Sequence, residues 1–204
     1  METLKWYPWI GKAFNKSKLL IIGESHYEDG DDWQLGNKET TRIITQKRID
    51  NVNGKWTLHR NVEKTILNLP NISLLERQAL WNSVAYWNLV QRLLDSRNHA
   101  DRPGDEDFKL GWELFFKIYK VLEPKFCLVL GKASFGSLGS YLTNPKSEWK
   151  LDKSEFNPND KLFKLKNGKK EMTLVFINHP SGSFGFDYQK WAQVFRKEFK
   201  EINI

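Results

Sequence analysis

Two short segments far apart in the chain place reactive side chains directly after apolar, strand-like runs. Leu19-Leu20-Ile21-Ile22 leads into Gly23-Glu24-Ser25-His26-Tyr27, and Leu174-Val175-Phe176-Ile177-Asn178 leads into His179-Pro180-Ser181-Gly182-Ser183-Phe184. In an open parallel sheet, ligands bind in the crevice beyond the carboxyl ends of the strands. Two loops of this form can face each other across one site. They would bring together a carboxylate (Glu24), hydroxyls (Ser25, Ser181) and imidazoles (His26, His179), the groups used for proton transfer and nucleophilic attack.

Several chemistries can be weighed on the residues alone. A hydrolase would use Ser25 as nucleophile and His179 as base, but the Ser25 loop lacks the second glycine of a nucleophile elbow. Gly131-Lys132-Ala133-Ser134 lacks the upstream glycine of a phosphate loop. His26, His59, His99 and His179 show no paired metal-ligand spacing, so no metal is expected. Cys127, the single cysteine, excludes internal disulfides and clusters built on several thiolates. No cofactor is expected.

The 204 residues suit one domain spanning 1–204, with 40% hydrophobic and 28% charged residues. The net charge of +7 fits either a polyanionic partner or a lysine-rich surface. No apolar run reaches membrane-spanning length, and residues 1–18 have no signal-peptide core; a cytoplasmic protein is the expectation. Of the nine tryptophans, Trp6, Trp9, Trp81, Trp87, Trp112 and Trp191 lie in apolar-periodic segments and are assigned to the core. Trp33 and Trp56 lie in polar stretches, freer to stack on bases.

The elements that must position these residues alternate between strand and helix. Strands are predicted at Lys18–Ile22, Val84–Asn88, Phe126–Leu130 and Met172–Ile177, the last fed by a hairpin from Leu162–Leu165 through Asn167-Gly168. Helices are predicted over Glu39–Asp50, Thr57–Leu67, Ser73–Trp81, Asp107–Leu122, Gly131–Tyr141 and Phe186–Lys200. Ser73 and Glu76 are spaced as a capping box. The residues of 144–160 read as a long polar loop. The alternation argues for an α/β layered sheet.

With these elements in place, the chain from Leu19 to about Phe195 resembles the uracil-DNA glycosylase superfamily. Four features carry the resemblance: Gly23-Glu24-Ser25-His26-Tyr27 after the first strand, Asn88 ending the second, Pro124 before a third strand that ends at Gly131, and His179-Pro180-Ser181-Gly182. The resemblance implies a three-layer α/β/α sandwich on a mainly parallel four-stranded sheet, without an iron–sulfur cluster. It implies a monomeric DNA glycosylase that flips a base from the stack and hydrolyses its N-glycosidic bond. His179 would stabilise the departing base, and Asn88, Tyr27 and His26 would contact it. Asn82 competes with Asn88 if the strand register shifts. Ser181, Gly182 and Ser183 would hold a DNA phosphate, and Phe184 would wedge into the stack. The chain departs from the family at Ser25, where the uracil-specific branch has an aspartate. Glu24 is then the candidate for orienting water, with Ser25 kept in the catalytic set. Two alternatives share the fold: a nucleic-acid or nucleotide-binding protein without chemistry, and a glycosylase acting on hypermodified foreign DNA.

Overall fold

The computed structural model describes residues 4–28, 37–50, 56–95, 101–152, 162–181, 185–202 and 204. In chain order these form β1 (Trp9–Ile10), α1 (Phe14–Ser17), β2 (Leu19–Gly23), β3 (His26–Glu28), α2 (Thr40–Asp50), α3 (Thr57–Leu67), α4 (Leu74–Ser83), β4 (Val84–Asn88) and β5 (Leu93–Asp95). They continue with α5 (Asp105–Leu122), β6 (Phe126–Leu130), α6 (Phe135–Thr143), β7 (Lys150–Leu151), β8 (Leu162–Asn167), β9 (Lys170–Ile177) and α7 (Tyr188–Glu198).

The four apolar runs become the parallel centre of one sheet, in the order β4-β2-β6-β9. Their side chains are buried on both faces, which is why they read as unbroken hydrophobic stretches instead of alternating ones. The sheet is not the four-stranded parallel one expected. It has seven strands and is mixed, because β1 pairs antiparallel with β4 at one edge and the β9-β8-β7 meander extends the other. β3 and β5 form a separate two-stranded ribbon.

Helices cover both faces. Leu20, Ile22, Ala85, Trp87, Cys127 and Val129 pack with Trp112 and Phe115 of α5 and Leu138 of α6. Their sequence neighbours Leu19, Ile21, Tyr86 and Leu128 pack with Val62 of α3, Trp81 of α4 and Phe195 of α7. Each fully buried large aliphatic side chain contributes roughly 1.5–3 kcal/mol. Trp6, Trp81, Trp87, Trp112 and Trp191 are buried as assigned, whereas Trp9 is half-buried. Trp149, from the stretch read as a polar loop, is also buried, against Tyr119. Trp33 lies outside the described residues.

A buried ionic group ties three helices together behind the sheet. Glu63 of α3 meets Arg48 of α2 at 2.5 Å and Arg77 of α4 at 3.5 Å, and accepts the indole N–H of Trp81 at 2.9 Å. α4 begins at the capping box of Ser73 and Glu76. These contacts fix α3 against α2 and α4.

Among the described residues, no helix is long and apolar enough to cross a membrane.

Candidate functional site

The chain leaves β2 toward the α2–α4 face and runs to β4 on one side, then returns past β2 to β6 on the other side. The carboxyl ends of β2 and β6 therefore flank the point where strand order reverses, the place where open sheets bind ligands. A cleft of about 320 Å³ opens there, lined by Glu24, Gly131, Lys132, Asn178, His179 and Phe186. A groove of about 560 Å³ lies at the opposite end of the strands, beside Lys125 and Thr173. Two of its lysines already meet acids, Lys166 with Asp152 and Glu171 and Lys197 with Glu198, and it holds none of the sequence-predicted groups.

Gly131 keeps the cleft open. Its φ of +103° is a conformation that side chains other than glycine disfavour. A β-carbon there would point into the site, 3.5 Å from His179 Cδ2 and 3.8 Å from Glu24 Oε2. The same backbone turn delays α6, which starts at Phe135 instead of Gly131. Glu24 and His179 thus approach one small volume from two strand-end loops.

Each has its own support. Glu24 Oε1 accepts the Tyr27 hydroxyl at 3.3 Å, and Arg102 Nη1 donates to that hydroxyl at 3.4 Å. The loop of His179 is tethered by Asn61 of α3, whose Nδ2 donates to the Pro180 carbonyl at 2.8 Å. Burial pushes the His179 imidazole below its ordinary pKa; Glu24 opposes that shift and Arg102 adds to it. The ring is therefore neutral at pH 7 and able to donate one N–H.

No protein-family model and no curated protein matches the chain.

Asn88 sits at the end of β4, opposite Gly23 in register, with 1% of its surface exposed. Tyr86 donates its hydroxyl to Asn88 Oδ1 at 2.8 Å, which orients the amide. Gly23 is required here, since a β-carbon would fall 2.1 Å from Asn88 Oδ1. Asn82 lies in α4, on the backbone that receives the Ala13 N–H, so the register favours Asn88. Ser25 is half-buried, and its Oγ has no hydrogen-bond partner among the described residues; it makes no dyad with His179. Ser181 is exposed and does not line the cleft. Gly182, Ser183 and Phe184 lie outside the described residues. Phe186 is half-buried, packing on the α7 side of the core while lining the cleft. Among the described residues, no three His, Cys, Asp or Glu side chains gather as metal ligands would.

His26 is drawn into the core. Its Nε2 lies 2.8 Å from Thr41 Oγ1, and its ring stands edge-on to Trp6 at 4.8 Å. Burial pushes its pKa down to about 4, and burial with the charges of Arg48 and His26 pushes His59 down to about 3. Both stay neutral in the folded protein where an unfolded chain would protonate them. The unfolded state then binds more protons as pH falls below 6.5, so stability present above that pH is lost on acidification. Urea unfolding is expected to show stability falling by about 1.4 kcal/mol per pH unit for each histidine across this window. A flat profile between pH 6.5 and 4.5 would show that these rings are not held neutral.

Arg102 and Asn61 carried no mark in the sequence, and His59 was weighed there only as a metal ligand. Arg102 sits in an Arg-Pro-Gly stretch that reads only as a loop, and the other two sit inside a helix. Their roles arise from tertiary contacts.

Proposed function

We propose that the protein is a DNA glycosylase on a three-layer sandwich of the uracil-DNA glycosylase kind. The observation that carries this reading is the approach of Glu24 and His179 to one cleft at the strand-order reversal. Breaking an N-glycosidic bond leaves positive character on the sugar and negative charge on the base. Glu24 orients a water toward the sugar C1′ and takes its proton as the new C–O bond forms. The electron pair of the C1′–N bond departs with the base. The neutral His179 donates its N–H to the base oxygen where that charge collects. Tyr27 and Arg102 hold Glu24 in place, and Asn88 presents its amide to the base edge. Lys132 at the cleft rim and the net charge of +7 suit the phosphate backbone.

The test is a panel of single- and double-stranded oligonucleotides, each with one uracil, deaminated, oxidised or hypermodified base. Incubation and then alkali should cleave the strand at the modified position for at least one base. Binding to DNA with no alkali-labile site on any member would favour the reading without chemistry, which Ser25 at the family's acid position also supports.

A further inference from the structure

Trp56 is half-buried and is not the open stacking surface that its polar sequence surroundings suggested. A space that can take a ring lies instead beside α7. It is a pocket of about 240 Å³, walled by Leu162 of β8, Val175 of β9, and Trp191 and Val194 of α7. Lys132, Lys190 and Lys197 stand around it. Sites for drug-sized ligands run to roughly 300–1,000 Å³, so this one suits a single ring system. Lys132 also lines the cleft, and Lys197 also lines the groove at the opposite end of the strands. The three cavities therefore follow one another along α7, joined by lysines.

The residue pattern of α7 builds this path. Trp191 and Phe195, four apart, turn inward with Val194 half-buried beside them, which leaves Lys190 and Lys197 exposed two helical turns apart. Lys132 Nζ and Lys190 Nζ lie 4.9 and 5.9 Å from the centre of the Trp191 ring. Lys197 is drawn to Glu198 at 3.2 Å, whereas Lys190 has no carboxylate partner among the described residues. The groove beyond mixes lysines with acids, so the pull on an anion is concentrated between the cleft and the pocket. Apolar walls beside an ammonium suit a ligand that joins a flat ring to an anion, as a nucleotide does. A duplex offers the phosphate but keeps its bases paired, and an unpaired strand offers both. We infer that the strand leaving the cleft is single and runs along α7, with the base of a nucleotide one or two from the target in this pocket and its phosphates against Lys132 and Lys190. This rests on the reading of the cleft as a DNA glycosylase site and adds to it the strand state of the substrate. Every base has a flat face, so the pocket gives strand preference without sequence preference.

The probe is a fluorescent single-stranded oligonucleotide carrying a base that the screen finds, or uracil where it finds none. In a series of these, each flanking nucleotide in turn is replaced by a tetrahydrofuran spacer, which keeps the phosphates and lacks the base. Equilibrium affinity is measured with the Glu24→Gln chain, and single-turnover excision with the unaltered one. One spacer position, on one side and within two nucleotides of the target, should weaken binding about tenfold, the scale of one base stacked on a side chain. Val194→Phe fills the pocket and should erase that difference. Lys190→Glu, on the exposed first turn of α7, should weaken binding of every member about tenfold at low salt and less at high salt. Pairing the flanking nucleotides with a complementary strand should remove the spacer effect. Should Val194→Phe fail to fold, Lys190→Glu and the spacer series decide. Excision with no spacer effect at any position, or with one that Val194→Phe leaves intact, would overturn the path and leave the glycosylase reading standing. Absence of excision, with a spacer effect that Val194→Phe erases, would overturn the glycosylase reading and keep the path. Lys190→Glu binding like the parent, or a spacer effect that survives pairing, also overturns the path.

Discussion

Replacing His179 with alanine is expected to slow single-turnover base excision by about 10²-fold or more, the scale of losing one donor aimed at developing charge. Affinity for DNA should change little, because in the proposed mechanism the imidazole meets the base and not the backbone. The fold should survive as well: the His179 loop is anchored through Asn61 and the Pro180 carbonyl, which the substitution leaves in place. The depressed pKa adds a second readout. Protonation of the ring would replace a neutral donor by a cation, and it occurs only below the ordinary histidine range. Any inflection due to His179 in the wild-type rate should therefore lie below pH 6.5 and vanish in the variant. Full activity without His179 would remove it from the mechanism, and a parallel loss of affinity would make it a binding residue.

How far these assignments were legible in the sequence depends on what makes each element form. β2, β4, β6 and β9 are stabilised by burial on both faces, and that leaves a continuous apolar run which is read directly. α4 carries its own start signal in Ser73 and Glu76. β1 and β7 are two residues long and exist only because a neighbouring strand edge accepts them, so no periodicity records them. The antiparallel β8–β9 pair was legible as the Asn167-Gly168 hairpin, but β1 and β7, which bring the sheet to seven strands, were not. α6 starts at Phe135, after Gly131 takes a positive φ that the apolar and small-residue pattern of the sequence does not record. Glu24, Asn88 and His179 could be singled out because each follows the end of a strand; of the three, Glu24 and His179 line the cleft. Trp56, in a polar stretch of sequence, is half-buried with its ring edge-on to His59, a contact that no spacing records.

The second large effect belongs to Glu24, and it separates two mechanisms. Glu24 Oε1 is engaged by Tyr27 while Oε2 lies toward the point beside Gly131 that His179 also borders. One oxygen is thus held and the other faces the cleft, the arrangement a water-orienting carboxylate needs. Glu24→Gln preserves size and can still accept the Tyr27 hydroxyl, but its amide cannot take a proton from water. Excision should fall by about 10²-fold or more, the contribution typical of a positioned base. Ser25→Ala is expected to cost far less, since the Ser25 hydroxyl lies off His179 and has no partner among the described residues. Tyr27→Phe should fall between the two, because it frees the carboxylate without removing it. A serine nucleophile would invert the order: Ser25→Ala would abolish turnover, and Glu24→Gln would matter little. Single-turnover rates for the three variants, measured on whichever base the screen finds, therefore tell whether water is delivered by Glu24 or the bond is attacked by Ser25.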